Sequence, residues 1–270
     1  MSAFQYCLNS STIRPTPLLD KIQIAGETGY SAIELWHDDI EAYLATGGKL
    51  SDIRKALDDQ RLQLPTTIYL RGWCDTTGVD HATGLDECKM RLEHAAALGA
   101  IYSIASPAGG KVDVALAARN YAELLTLGLS FGVKPAMEYL GFVEQINTIE
   151  SALEIMNLSK HPQATIVVDP FHNFRGGGAF SSLSLLRGDQ IAISHFNDSP
   201  ALPPREQQHD HSRVLPGQGH LDLKQWLGLL KQQGYNRWLS LELFREDLWA
   251  RNPKEVARIG LESMKAVAES

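Results

Sequence analysis

Four apolar runs in the second half of the chain each end on a residue able to bind a metal ion or move a proton. They are Val133-Lys134-Pro135-Ala136-Met137-Glu138, Thr165-Ile166-Val167-Val168-Asp169, Ile191-Ala192-Ile193-Ser194-His195 and Trp238-Leu239-Ser240-Leu241-Glu242. Each reads as a buried strand with one polar group at its C-terminal end. A carboxylate or imidazole buried without a partner costs several kcal/mol, so four in equivalent places call for a shared partner. One divalent cation would serve. Three carboxylates and an imidazole form a hard, oxygen-rich donor set that suits Mn²⁺ first, then Mg²⁺, Co²⁺ or Zn²⁺, and differs from the thiolate set of a structural zinc. Any one of the four alone would read as a capping or ion-paired residue; their repetition favours the metal.

These runs belong to a longer alternation. Further strands are expected at Phe4 to Leu8, Ala32 to Trp36, Leu64 to Tyr69 and Ile101 to Ser106, making eight. Amphipathic segments lie between them, at Pro17 to Glu27, Ser51 to Gln60, Leu85 to Leu98, Val112 to Leu129, Ile149 to Leu158 and Leu223 to Gln233. Several stop at a glycine before the next strand, as at Gly29, Gly99, Gly132 and Gly234. Strands alternating with helices, without a glycine-rich phosphate fingerprint, indicate parallel βα units. Eight such units in 270 residues predict an α/β protein, a (β/α)₈ TIM barrel with one domain spanning 1–270. Catalytic groups in that fold sit at the C-terminal strand ends, where the four donors fall.

Composition narrows the partners. Apolar residues make up 44%, enough for a sizeable core, and the apolar stretches are too short to span a bilayer. Met1-Ser2-Ala3-Phe4-Gln5 lacks the basic-then-apolar pattern of a leader, so a cytoplasmic location without membrane association is expected. A formal charge of −7 with scattered lysines and arginines argues against nucleic acid as a partner. Cys7, Cys74 and Cys88 are odd in number and widely spaced, so inert buried thiols are expected rather than a disulfide framework or zinc knuckle.

Glu138, Asp169-Pro170-Phe171-His172, His195-Phe196-Asn197-Asp198, Arg213-Val214-Leu215-Pro216-Gly217-Gln218-Gly219 and Leu241-Glu242-Leu243-Phe244 together resemble the sugar phosphate isomerase/epimerase group of the xylose isomerase-like TIM barrels, nearest its inosose (2-keto-myo-inositol) isomerase branch. The similarity covers nearly the whole chain and is most specific in its second half. It implies that Glu138, Asp169, His195 and Glu242 bind one divalent metal. It also implies that Glu138 and Glu242 are an acid/base pair on opposite faces of the substrate, and that His172 and Arg213 hold substrate oxygens. The group isomerises, epimerises or dehydrates different polyols with one ligand set, so the substrate stays open. DNA-repair endonucleases of the same barrel use further strand-end histidines. The third and fourth strands here, Thr66 to Tyr69 and Ile101 to Ser106, have none.

The chemistry follows from the residue types as well. Moving a proton between the two carbons of an α-hydroxy ketone needs a base and stabilisation of the enediolate oxygens, which a divalent ion provides beside two carboxylates. No GxSxG elbow is present, and Lys134 starts its strand, away from the catalytic end, so covalent catalysis is not expected. The leading reading is an isomerase or epimerase acting on a keto-inositol or related ketose. A dehydratase of the 3-dehydroshikimate or inosose type competes with it, and a non-catalytic sugar-binding barrel is the reading from another class.

Secondary candidates keep two readings each. His172 could touch the metal ligands, the substrate or only solvent in its loop. The 199–221 connection is long and polar, and reads as a lid. Arg213 within it could clamp a substrate oxygen or pair with Asp210 or Glu206. Glu34 could line the pocket or bond to a neighbouring strand, while Trp36 and Trp73 could wall a sugar ring or pack the rim. Arg71 could meet a carboxylated or hydroxyl-rich substrate. Gly176-Gly177-Gly178 suggest close backbone approach rather than a P-loop. His37, His81, His209, His211 and His220 have no spacing that demands a metal. The tail from Asn252 to Ser270, with Trp249 in a loop before it, reads as a helix that either packs on a homodimer partner or covers its own strand ends.

Overall fold

Alternation with a period of two governs the barrel, because successive side chains of a strand point to opposite faces. In the computed structural model, which describes residues 4–270, eight strands use that alternation to form two cores. The reading made on Met1, Ser2 and Ala3 lies outside the described residues. The strands are β1 (Gln5–Asn9), β2 (Ala32–Trp36), β3 (Thr66–Leu70), β4 (Tyr102–Ala105), β5 (Lys134–Met137), β6 (Thr165–Val168), β7 (Ile191–His195) and β8 (Trp238–Leu241). They pair in parallel in chain order, and β8 returns to β1 to close the barrel. This is the (β/α)₈ barrel expected from the sequence.

Cys7, Ala32, Ile68, Ile104, Ala136, Val167, Ile193 and Trp238 pack together in one core. A second, larger core takes the alternate residues, such as Leu8, Ile33, Met137, Ile166 and Leu239, with apolar stripes from the helices. One pleat beyond the first set come Asn9, Glu34, Glu138, Asp169, His195 and Ser240, so continuing the alternation carries polar groups to the same side as Cys7 and Ala32. This places the site.

The helices are α1 (Leu18–Thr28), α2 (His37–Ala45), α3 (Leu50–Asp59), α4 (Gly78–Leu98), α5 (Val114–Ser130), α6 (Ile149–Ser159), α7 (Pro170–Gly176), α8 (Leu223–Gln232), α9 (Glu246–Trp249) and α10 (Pro253–Ala268). Gly29 and Gly99 end α1 and α4 in the left-handed conformation, with φ of 93° and 77°. Helix α4 begins seven residues before the expected Leu85, although Gly78 to Gly84 holds weak helix formers. Tertiary packing explains the difference: a Cβ on Gly84 would lie 2.2 Å from the Gly72 carbonyl oxygen, so the helix seats directly on the β3–α4 loop.

The short α2, α7 and α9 were not legible as periodic patterns, and Trp249 falls in α9 rather than in a loop. At the C-terminus, Asn252 caps α10 through the backbone N–H groups of Lys254 and Glu255. The buried residues of α10, Val256, Ala257, Gly260, Leu261 and Met264, pack on the chain's own barrel, where Tyr30 donates to the Ala257 carbonyl at 2.9 Å. Of the two readings of the tail, its buried stripe takes the intramolecular one.

Cys7, Cys74 and Cys88 are buried and free, and burial pushes the Cys74 and Cys88 thiols up to about 11 and about 12. Among the described residues no helix is long and apolar enough to cross a membrane.

Candidate active site

Asp169 directly follows β6 and caps α7. Its Oδ1 accepts from the backbone N–H groups of Phe171 (2.7 Å) and His172 (3.1 Å), with Pro170 at the first helical position. This fixes the carboxylate and leaves Oδ2 turned toward Nδ2 of Asn197 (3.2 Å) and the His195 ring. Burial alone would raise the Asp169 carboxyl; the neighbouring Arg213 charge does most to hold it far below its usual range.

His195 ends β7 and is fully buried. Its Nδ1 lies 3.1 Å from Glu242 Oε2 and 3.4 Å from Asp169 Oδ2, while Nε2 lies 3.4 Å from Glu34 Oε1. Neither nitrogen makes an aligned hydrogen bond among the described residues. One donor atom each from Asp169, His195 and Glu242 lie within 4.8 Å of one another. A buried imidazole without an aligned partner, set between two carboxylates, is the donor set of a hard or borderline divalent ion, so these residues fit a metal site.

The fourth predicted ligand, Glu138, is not in that group. Its Oε2 accepts from the Ser106 hydroxyl, and burial followed by the charge of Glu242 pushes its carboxyl up to about 8. It does share a pocket of about 210 Å³ with Glu242, His172, Arg213, Trp36, Tyr69, Phe142 and Phe244. Drug-sized ligands occupy roughly 300–1,000 Å³, so this space suits a smaller molecule.

Arg213 reaches the pocket from the 199–221 connection and is fully buried. Its Nη1 donates to Glu242 Oε2 at 2.8 Å, and Nη2 lies 3.1 Å from Asp210 and 3.3 Å from Asp169. The Phe171 and Phe244 rings flank the guanidinium at 5.0 and 5.3 Å. Of the two partners considered from sequence, Asp210 pairs with Arg213, whereas Glu206 pairs with Arg205. The connection itself is folded against the barrel. The Asp198 carboxylate accepts from the backbone N–H groups of Ser199, Gly217, Gly219 and Leu221, and Arg175 binds the carbonyls of Glu206 and Gln208. The connection's Asp210 and Arg213 line the pocket.

The other sequence candidates separate cleanly. His172 lies in the first turn of α7 and lines the pocket, with Nδ1 accepting from the Gly141 N–H at 3.2 Å. Trp36 also lines it, edge-on to Tyr69 and Phe244. Glu34 does not: it sits mid-strand and fully buried, accepting from Asn9, Thr66 and Ser240. Arg71 is exposed and paired with Glu87 at 2.8 Å, so it lies outside the pocket. Trp73 is fully buried against Tyr121, a packing residue rather than a pocket wall.

His37 is buried and faces Ser103 at 3.4 Å, and His81 pairs with Glu123 at 3.0 Å. His209 stacks on His211, and His220 meets Phe174 and the Ser199 carbonyl. Gly176 bears out the close approach read from its triplet, since a Cβ there would meet the Asn147 carbonyl oxygen at 1.9 Å. Lys134 opens β5, at the strand end away from Glu138.

Sequence reasoning missed Asn9, Ser106, Tyr69, Phe142 and Phe244 as parts of this site. Asn9 carried a usable signal: it closes the apolar run Tyr6-Cys7-Leu8 as the four donors close theirs, but the expected strand stopped at Leu8. Tyr69 lies within β3, and Ser106, Phe142 and Phe244 come from strand–helix loops, whose course is set by packing.

The chain belongs to the family described as "Xylose isomerase-like TIM barrel", which it matches over residues 22–267. It is 27% identical to an inosose isomerase of Bacillus velezensis, across 97% of this chain and 96% of that one. A crystal structure of the IOLI protein with a bound zinc atom superimposes with a TM-score of 0.91 at 26% identity, covering 98% of both chains. A 3-dehydroshikimate dehydratase of Pseudomonas aeruginosa is 24% identical across 93% of this chain, which spans 40% of that longer protein.

Proposed function

We propose that the chain is a divalent-metal-dependent isomerase or epimerase that moves a proton at the α-hydroxy ketone of a keto-inositol or related ketose. The observation that carries this reading is the pair Glu138 and Glu242 lining one small pocket, with Asp169 and His195 beside them. Asp169, His195 and Glu242, with Glu138 as the fourth ligand, would hold the ion, which when bound acidifies the C–H bond next to the carbonyl. Mn²⁺ suits the hard donor set, and the zinc of the IOLI neighbour makes Zn²⁺ the second metal to test.

The residues then divide the work. In isomerisation one glutamate takes the proton from the first carbon as base and the other returns a proton at the second carbon as acid, while the hydroxyl proton passes from the first carbon's oxygen to the second's. In the chain without metal, burial and then the charge of Glu242 raise the Glu138 carboxyl to about 8, and Glu242 Oε2 lies 2.8 Å from Arg213 Nη1. His172 is neutral, because burial and then the Arg213 charge hold it down to about 4. Its Nδ1 lies 3.2 Å from the Gly141 nitrogen and its Nε2 lies 2.7 Å from Nη2 of Arg213, so the ring is held beside the guanidinium. His172 and Arg213 together border the pocket, where they suit a substrate oxygen. Trp36, Tyr69, Phe142 and Phe244 would cover the apolar face of the ring and exclude water.

The dehydratase relative supports a second reading, loss of a β-hydroxyl from the same enediolate. A carboxylated substrate would call for a free cation in the pocket. Arg71 lies outside, and Arg213 is already paired with three carboxylates, which favours a neutral polyol. The test is proton NMR of the Mn²⁺- and Zn²⁺-loaded protein in D₂O with keto-inositols, ketohexoses and 3-dehydroshikimate. Deuterium at the α-carbon with an isomeric product supports isomerase; loss of water moves the assignment to lyase. Metal binding without exchange in any compound would point to a non-catalytic sugar-binding barrel.

A further inference from the structure

Behind the proposed ligands lies a polar layer that contributes no ligand of its own. Asn9 and Glu34 pair in register across β1 and β2, and both are fully buried. The Asn9 amide has all four of its bonds. Oδ1 accepts from the Ser11 N–H (3.0 Å) and the Trp36 indole N–H (2.9 Å), and Nδ2 donates to Glu34 Oε1 (3.2 Å) and Glu242 Oε1 (2.9 Å). Rotating the amide by half a turn would set donors against donors, so its orientation is unique. Glu34 is held in turn by the hydroxyls of Thr66 on β3 and Ser240 on β8, and its Oε1 faces Nε2 of His195.

We propose that Asn9 and Glu34 are positioning residues for the metal site. Glu34 keeps the Nε2 side of His195 turned to itself, so that Nδ1 stays on the side of Asp169 and Glu242. Asn9 grips Glu242 Oε1, so that Oε2 is the oxygen presented to His195 and Arg213. A carboxylate facing the far nitrogen of a ligating imidazole sets the ring's tautomer and rotation; Glu34 Oε1 stands in that place, 3.4 Å from Nε2, and one amide ties it to Glu242. Because the same amide also holds the Trp36 indole, the aromatic wall and the ligand set share one anchor.

The inference rests on the metal site proposed above, so its test must separate the two. Co²⁺ is titrated into the full chain and its Asp169→Asn, Glu34→Gln and Asn9→Leu variants, following affinity by calorimetry and ligand geometry by the visible d–d absorption. Melting temperature is measured with chelator present. The expected result is one Co²⁺ bound by the wild type, with affinity reduced roughly 10- to 100-fold and an altered d–d spectrum in both Glu34→Gln and Asn9→Leu. Asn9→Leu removes no charge, so weaker binding there reflects geometry rather than lost attraction for a cation.

Wild-type affinity and spectrum in either folded variant would overturn the positioning role, as would a lowered melting temperature with chelator and no change in Co²⁺ binding. If the wild type itself fails to bind Co²⁺, or Asp169→Asn binds it unchanged, the metal site and this inference fall together.

Discussion

The two halves of the barrel contribute differently. Glu138, Asp169 and Glu242 directly follow β5, β6 and β8, His195 ends β7, and the connection after β7 delivers Arg213. Strands β1 to β3 bring Asn9, Glu34 and Thr66, which touch the proposed ligands or each other, and Trp36 at the pocket, where Ser106 joins it just after β4. The second half holds the groups proposed to react, and the first half adds groups that orient and enclose them beside Phe142, Phe244 and Ser240 of the second. The difference teaches that a half-barrel without a recognisable motif can still bear on the chemistry through hydrogen bonds to its neighbour.

The sharpest way to break this comparison is Glu242→Gln. It keeps the shape and removes a proposed base, so proton exchange in D₂O should fall by about 10²–10⁴-fold; near-normal exchange would take Glu242 out of the acid/base pair. Asp169→Asn comes next, with metal affinity lowered by more than roughly 100-fold, because a proposed ligand should matter more than a residue behind one. Unchanged metal content after dialysis would contradict that ranking. From the other half, Trp36→Ala should raise KM by roughly three- to tenfold and change kcat less, since the ring is proposed to bind rather than react. A loss confined to kcat would put Trp36 among the groups that set catalytic geometry.

Glu138 offers a test through stability. In the folded chain its carboxyl lies at about 8, against an ordinary 4.5, so between those values the folded state holds a proton that the unfolded state has released. Its contribution to stability is complete below the lower value and is lost as pH rises through the upper one. With chelator present, wild type should therefore lose stability relative to Glu138→Gln as pH goes from about 5 to about 8. A constant difference in melting temperature across that range would show that Glu138 is not held protonated. The smallest effect is expected at Arg71→Ala, where kinetics should stay within about twofold and stability within about 0.5 kcal/mol, as for an exposed ion pair. A large rise in KM would return Arg71 to the pocket.

Local pattern alone determined the strand–helix rhythm, the eight units and the four strand-end donors. Apolar runs, turn glycines and the two-residue alternation act over a few residues and can be read in order along the chain. Tertiary structure decided which candidates meet. Arg71 and Arg213 are both loop arginines, yet one reaches Glu87 on the surface and the other is drawn between Asp169, Asp210 and Glu242. Trp36 and Trp73 read alike, and only Trp36 lines the pocket.

Glu34 was legible as a strand carboxylate, but its partners Asn9, Thr66, His195 and Ser240 come from four other strands. Barrel closure joins β8 to β1 and brings Asn9 to Glu242 across 233 residues of sequence. No local pattern encodes that pairing, because it depends on the register of eight strands at once.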